Sequence, residues 1–155
     1  MKAHGLYSVM GNFGGGKTFG TFLDLYGMNK DENYIIANVP YSKVDLFFST
    51  KDQLFKIIDD LEKYCQDTNY NIANYFNDLQ NLKNIVLVVD EAHLYFPARG
   101  RKDKNNLRDK ISIIVSQCRK RRIKIFIISQ RLKTVDLNFR RLSDFIIQYK
   151  KRSFL

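Results

Sequence analysis

Apolar positions along the chain fall into two alternating patterns. Short runs that are apolar almost throughout occur at residues 5–10 (GLYSVM), 34–39 (YIIANV), 84–90 (NIVLVVD), 123–129 (IKIFIIS) and 145–149 (FIIQY). Runs of this kind predict strands, the second of them stopped by Pro40, and the β-branched NIVLVVD is of the sort buried on both faces of a parallel sheet. Between them the period lengthens. Residues 17–26 (KTFGTFLDLY) predict a helix with Gly27 near its end. In residues 49–64, Thr50 stands three positions before Gln53, a capping box, and Leu54, Ile57, Ile58 and Leu61 share one face. A further helix is predicted over 107–120, and a turn with a short helix over 135–144. The Asn- and Tyr-rich stretch 66–84 is the least patterned, with a helix expected near 74–82 (NYFNDLQNL).

Strands alternating with helices predict a three-layer α/β fold around a mostly parallel sheet of about five strands. A length of 155 residues suits a single domain, 1–155, with a sizeable core. No internal repeat or linker divides it.

The first strand runs into GNFGGGKTFG, in which Gly11, Gly16, Lys17 and Thr18 fill the pattern G-x-x-x-x-G-K-[ST]. Its position between strand and helix is the one the chemistry needs. Backbone N–H groups can wrap a polyphosphate only where side chains do not obstruct them, and the positive end of the helix faces the same anion. Lys17 would neutralise the β- and γ-phosphates, and Thr18 would give its hydroxyl to Mg²⁺. Gly11, Asn12, Phe13, Gly14, Gly15, Gly16, Lys17, Thr18 and Phe19 are thus the expected ATP-binding residues. Phe13 is bulky for such a loop, and either packs against the nucleotide or shields the loop. A glycine-rich connector with a chance Lys-Thr is the plain alternative.

The run IVLVVDEAH weighs against that alternative. It is an apolar strand ending in two carboxylates, and strand ends carry the ligand crevice of a parallel sheet. Asp90 is expected to hold Mg²⁺ through water and Glu91 to polarise the attacking water, a pairing that predicts nucleotide hydrolysis; a solvated helix N-terminus is the plain alternative. His93 either lines the site or is structural. Tyr95 and Phe96 read as local packing.

Charge adds a partner. Lys and Arg number 26 against 16 acids, a formal net charge of +10. From Arg99 to Lys124 the chain carries eleven basic residues and two acids. Such a run is ordinarily a solvated face. Following the DEAH strand, it could also grip phosphates without reading sequence, and Arg99, Arg101, Lys102 and Lys104 are the expected DNA contacts. Cys65 and Cys118 lack metal-ligand spacing and read as reduced thiols. Nowhere do about 18 apolar residues run together, and the expected location is cytoplasmic.

GNFGGGKT, VLVVDEAHLYFPARG and the segment CRKRRIKIFIISQRLKTVDLNFRRLSDFIIQY together resemble the FtsK–HerA superfamily of DNA-pumping ATPases. With ANVPY and the tail, the chain is most similar to Zot-like proteins, the assembly ATPases of filamentous phages, related to viral genome-packaging ATPases. The resemblance implies a P-loop NTPase fold of the RecA-like (ASCE) kind, with a sensor strand between the P-loop and Walker B strands. It implies that Gln130 senses the γ-phosphate. It implies that Arg119 is an arginine finger for a neighbouring subunit, a role Arg121, Arg122, Arg140 or Arg141 could fill instead. It further implies ATP and Mg²⁺ as cofactors, a homo-oligomeric ring such as a hexamer, non-specific DNA, and membrane or phage assembly partners at the cytoplasmic face of the host membrane. Zot-like proteins typically continue into a membrane-spanning segment, which this sequence does not show.

Three functions follow. A motor exporting or packaging viral or plasmid DNA comes first. A nucleotide-dependent assembly scaffold or switch at the membrane is the alternative. A DEAH-type helicase core is a minor one, because such helicases need a second motor domain.

Overall fold

A computed structural model describes residues 3–12, 14–69, 71–76, 83–98, 106–135 and 137–150. Six strands form one sheet: β1 (Gly5–Gly11), β2 (Asn33–Ala37), β3 (Leu46–Phe47), β4 (Asn84–Val89), β5 (Ile123–Ser129) and β6 (Phe145–Tyr149). Four helices connect them: α1 (Lys17–Tyr26), α2 (Lys51–Gln66), α3 (Leu107–Arg121) and α4 (Leu137–Leu142). The strand order is β3-β2-β4-β5-β1-β6, and every pairing is parallel.

Parallel strands must be covered on both faces, and the side chains divide accordingly. On one face Leu6, Ile36, Leu87 and Ile125 pack with Leu54, Ile58 and Leu61 of α2, Ile111 and Ile114 of α3, and Phe139 of α4. On the other, Val9, Ile35, Val88, Phe126 and Ile128 pack with Phe22 and Leu25 of α1. Three layers result, one of them built, among the described residues, on α1. That helix leaves Phe19, Leu23 and Tyr26 exposed in an apolar stripe at i, i+4 and i+7.

Local signals hold where they are strong. Thr50 caps α2 by accepting from Gln53 N at 3.2 Å, while Gln53 Oε1 accepts from Thr50 N at 3.2 Å. Arg121 at the end of α3 is buried and donates to the carbonyls of Cys65 (3.2 Å) and Asp67, locking α3 to the end of α2.

Two differences from the sequence reading are physical. The sheet has a sixth strand: β3 is a two-residue pairing on β2 (Ile36↔Leu46, Ala37↔Phe47), too short to show any period. β2 stops at Ala37, two residues short of 39, because Asn38 leaves the ladder to bond the end of β4. Of the helix expected near 74–82, residues 77–82 lie outside the described residues. A 3-10 turn Ile72–Asn74 stands just before them. Among the described residues, no helix is long and apolar enough to cross a membrane.

Candidate active site

The C-terminal ends of β1, β4 and β5 lie side by side, with β5 in the middle. Gly11 ends β1 close against β6, where a β-carbon would stand 2.5 Å from the Tyr149 carbonyl oxygen. The loop then turns on itself, with Gly15 N donating to Asn12 O at 2.9 Å. Gly14 and Gly16 adopt φ +71° and +80°, and among the described residues nothing lies within 4 Å of where their β-carbons would be. Only glycine takes that backbone readily, and the space it leaves is a cradle open to a phosphate chain. Lys17, largely buried, donates to Asn12 O at 3.1 Å and so arches over the same loop.

Thr18 opens α1 and donates to Asp90 Oδ2 at 2.8 Å. The two expected Mg²⁺ ligands, far apart in sequence, are therefore in contact. Hard oxygens beside a phosphate cradle are the donor set Mg²⁺ prefers, so the residues fit the ion and the nucleotide. Asp90 Oδ1 accepts from Glu91 N at 2.9 Å, which orients the carboxylate.

Glu91 itself has a left-handed backbone, φ 49° and ψ 45°, unusual for a residue with a β-carbon. Its side chain is about half exposed and lies 3.4 Å from His93 Nδ1. Of the two readings of His93, the geometry favours a place beside the site. Tyr95 and Phe96 pack as expected, against Phe48 and Phe139 respectively.

Gln130 directly follows β5, level with the end of β1 (Met10↔Ser129). It lines a cleft of about 750 Å³ together with Gly11, Asn12, Arg131, Lys133 and Tyr149. The turn behind it is tied down: Ser129 Oγ and Thr134 Oγ1 lie 3.1 Å apart, and both donate to Arg131 O.

Arg119 is not brought to this constellation. It is exposed near the end of α3, which feeds the start of β5, and β5 spans seven residues, about 20 Å, to Gln130. Of the alternatives, Arg121 is spent on carbonyls of α2 and its cap. Phe19 is 71% exposed and points along the apolar stripe of α1. Phe13, Arg99, Arg101, Lys102 and Lys104 lie outside the described residues.

Sequence reasoning missed Asn38. Its Oδ1 accepts from Asp90 N at 2.7 Å, and its Nδ2 donates to Asp90 O at 2.8 Å. One signal was available: an amide side chain directly after the all-apolar YIIA.

The model of the zonular occludens toxin (Zot) family matches residues 5–154. No curated protein matches. Among solved structures, the N-terminal domain of zonular occludens toxin from Neisseria meningitidis is similar at TM-score 0.61 and 17% identity, covering 98% of this chain and 78% of that one. The genome packaging NTPase B204 from Sulfolobus turreted icosahedral virus 2, in complex with AMPPCP, is similar at TM-score 0.59 and 19% identity, covering 99% and 78%. The conjugation coupling protein TcpA of pCW3, with ATPγS, reaches TM-score 0.61 and 18% identity, covering 91% of this chain and 47% of that one. These likenesses establish the α/β P-loop NTPase fold.

Proposed function

The chain belongs to the Zot family, and from that premise we propose that it is an ATP-hydrolysing motor of phage assembly that exports or packages viral or plasmid DNA. The contact between Thr18 and Asp90 carries this reading, because it joins the phosphate loop to the carboxylate strand. In the proposed reaction the glycine loop and Lys17 hold the triphosphate. Mg²⁺, bound by Thr18 and Asp90, would screen the phosphate charge. Glu91 accepts a proton from the water that attacks the γ-phosphorus, ADP leaves, and Gln130 reads the γ-phosphate. Similar structures named as a packaging NTPase and a conjugation coupling protein support DNA as the cargo.

Arg119 completes the site of a neighbouring copy in this reading, which calls for a ring. DNA is gripped by the basic residues after Ala98, and the motor works in the cytoplasm at the face of the host membrane. A membrane-side scaffold is the second reading, favoured by the exposed apolar stripe Phe19, Leu23 and Tyr26 on the helix that follows the nucleotide loop.

Steady-state hydrolysis by the purified chain, with and without DNA, tests both. Lys17→Ala should abolish tight ATP binding. Glu91→Gln should bind ATP with Mg²⁺ while turnover falls by orders of magnitude. Stimulation by DNA supports the motor, and nucleotide binding indifferent to DNA supports the scaffold. Unchanged turnover in Glu91→Gln would refute the catalytic assignment.

A further inference from the structure

Sheet pairing of β2 with β4 ends at Ala37↔Val88, one residue before the end of β4. Beyond it the chain must hold Asp90 without a ladder on that side. Asn38 does so with one side chain. Its Oδ1 takes the Asp90 N–H (2.7 Å) and its Nδ2 gives to the Asp90 carbonyl (2.8 Å), so the planar amide acts as a surrogate strand. The same Nδ2 lies 3.4 Å from the Tyr95 hydroxyl, beyond the 3-10 turn Ala92–Leu94. The amide is therefore braced against both ends of the segment that contains Glu91.

That segment needs bracing. Glu91 sits at φ 49°, a backbone a β-carbon disfavours, and such a conformation persists only where its surroundings over-determine it. Asp90 is held on its side chain by Thr18 and on its backbone by Asn38. Removing the backbone clamp would let the Asp90–Glu91 peptide rotate toward an ordinary conformation and carry the Glu91 carboxylate with it.

We propose that Asn38 is a positioning residue for hydrolysis: it fixes the Asp90 peptide and thereby aims the Glu91 carboxylate, without touching the nucleotide. This rests on the ATPase reading above. It predicts a split in the kinetics that a simple staple between β2 and β4 does not. In Asn38→Ala, kcat should fall roughly 10- to 100-fold, the range that misplacement by about 1 Å produces. KM and the affinity for a fluorescent ADP analogue should stay within about two-fold, because the loop that binds phosphates is held by other bonds. Asn38→Asp keeps the acceptor for Asp90 N but places a carboxylate oxygen against the Asp90 carbonyl. It should lose kcat as well, and it serves if the alanine variant does not fold.

The deciding measurement is a double-mutant cycle on single-turnover hydrolysis. In a Glu91→Gln background, Asn38→Ala should add almost nothing, since the carboxylate it aims is gone. Full additivity would overturn the inference, as would an Asn38→Ala chain that keeps wild-type kcat or loses nucleotide affinity in parallel. A wild-type chain that binds ATP yet never hydrolyses it would overturn the proposed function itself, and this inference with it. The two failures are thus read from different proteins.

Discussion

Replacing Glu91 with glycine should make the protein more stable while destroying its proposed chemistry. Glu91, Asn106 and Arg122 are the non-glycine residues with positive φ among those described, and Glu91 is the one at a strand exit, opening a 3-10 turn, rather than at the end of an α-helix. A left-handed backbone costs a residue with a β-carbon about 1–2 kcal/mol. Glycine removes that strain but brings about 0.5–1 kcal/mol of extra unfolded-state freedom. The lost contact with His93, 3.4 Å away and partly solvated, is worth at most about 1 kcal/mol and typically far less. Strain relief less the added freedom is a gain of about 0–1.5 kcal/mol, roughly 0.7 kcal/mol at its centre, or about 1–3 °C in Tm for a chain of this size. Glu91→Gln keeps both the β-carbon and the strain, so its Tm should match wild type. Calorimetry must be done without nucleotide, because bound ligand raises Tm by mass action. A glycine variant equal to or less stable than Glu91→Gln would refute the claim that strain is stored here. The bracing role given to Asn38 would then lose its reason.

Two further outcomes are expected. Burial pushes both the Cys65 and Cys118 thiols from 9.0 up to about 12; the stability tied to these protons is complete below pH 9 and is lost as pH climbs toward 12. Both should resist alkylation at pH 8 until denaturant is added, and rapid labelling of the native chain would contradict their placement between α2 and α3. Arg119→Ala should leave nucleotide affinity intact and cut turnover, and mixing it with Lys17→Ala should restore activity, since mixed rings contain interfaces joining an intact loop to an intact arginine. No rescue despite demonstrated co-assembly would rule out a finger acting between subunits.

What the sequence made legible was whatever local pattern encodes. The boundaries of α1 (Lys17–Tyr26), β5 (Ile123–Ser129) and β6 (Phe145–Tyr149) coincide with the runs that predict them; burial on both faces fixes β5, whereas β6 is an edge strand and only partly buried. The Thr50–Gln53 box was equally plain, being a contact within four residues. β3 was not, since its existence depends on β2 offering a free edge rather than on Leu46 and Phe47 themselves. In the same way, the basic run from Arg99 gave no hint that Arg121 differs from its neighbours. Its burial is decided by the carbonyls of Cys65 and Asp67, which helix packing delivers from more than fifty residues away.

The site divides along the same line. Motifs revealed the groups that would touch phosphate, because their chemistry demands fixed residue types at fixed spacing. What connects those groups is made of contacts between strand ends. Asn38 is one such contact, and the turn after Gln130 supplies another. Pro97 pairs with Val135 in an isolated antiparallel bridge, and Ala98 N donates to Thr134 O at 3.1 Å. Thr134 in turn donates to Arg131 O at 2.6 Å. The chain leaving the carboxylate strand is therefore bonded to the turn that carries Gln130, just before the basic segment begins. In the motor reading this matters more than any single arginine. There, a γ-phosphate that shifted Gln130 would act two hydrogen bonds from Ala98, Thr134 to Arg131 O and Ala98 N to Thr134 O, where the basic segment begins. Nucleotide state and the grip on a phosphate backbone then need no long path to be coupled.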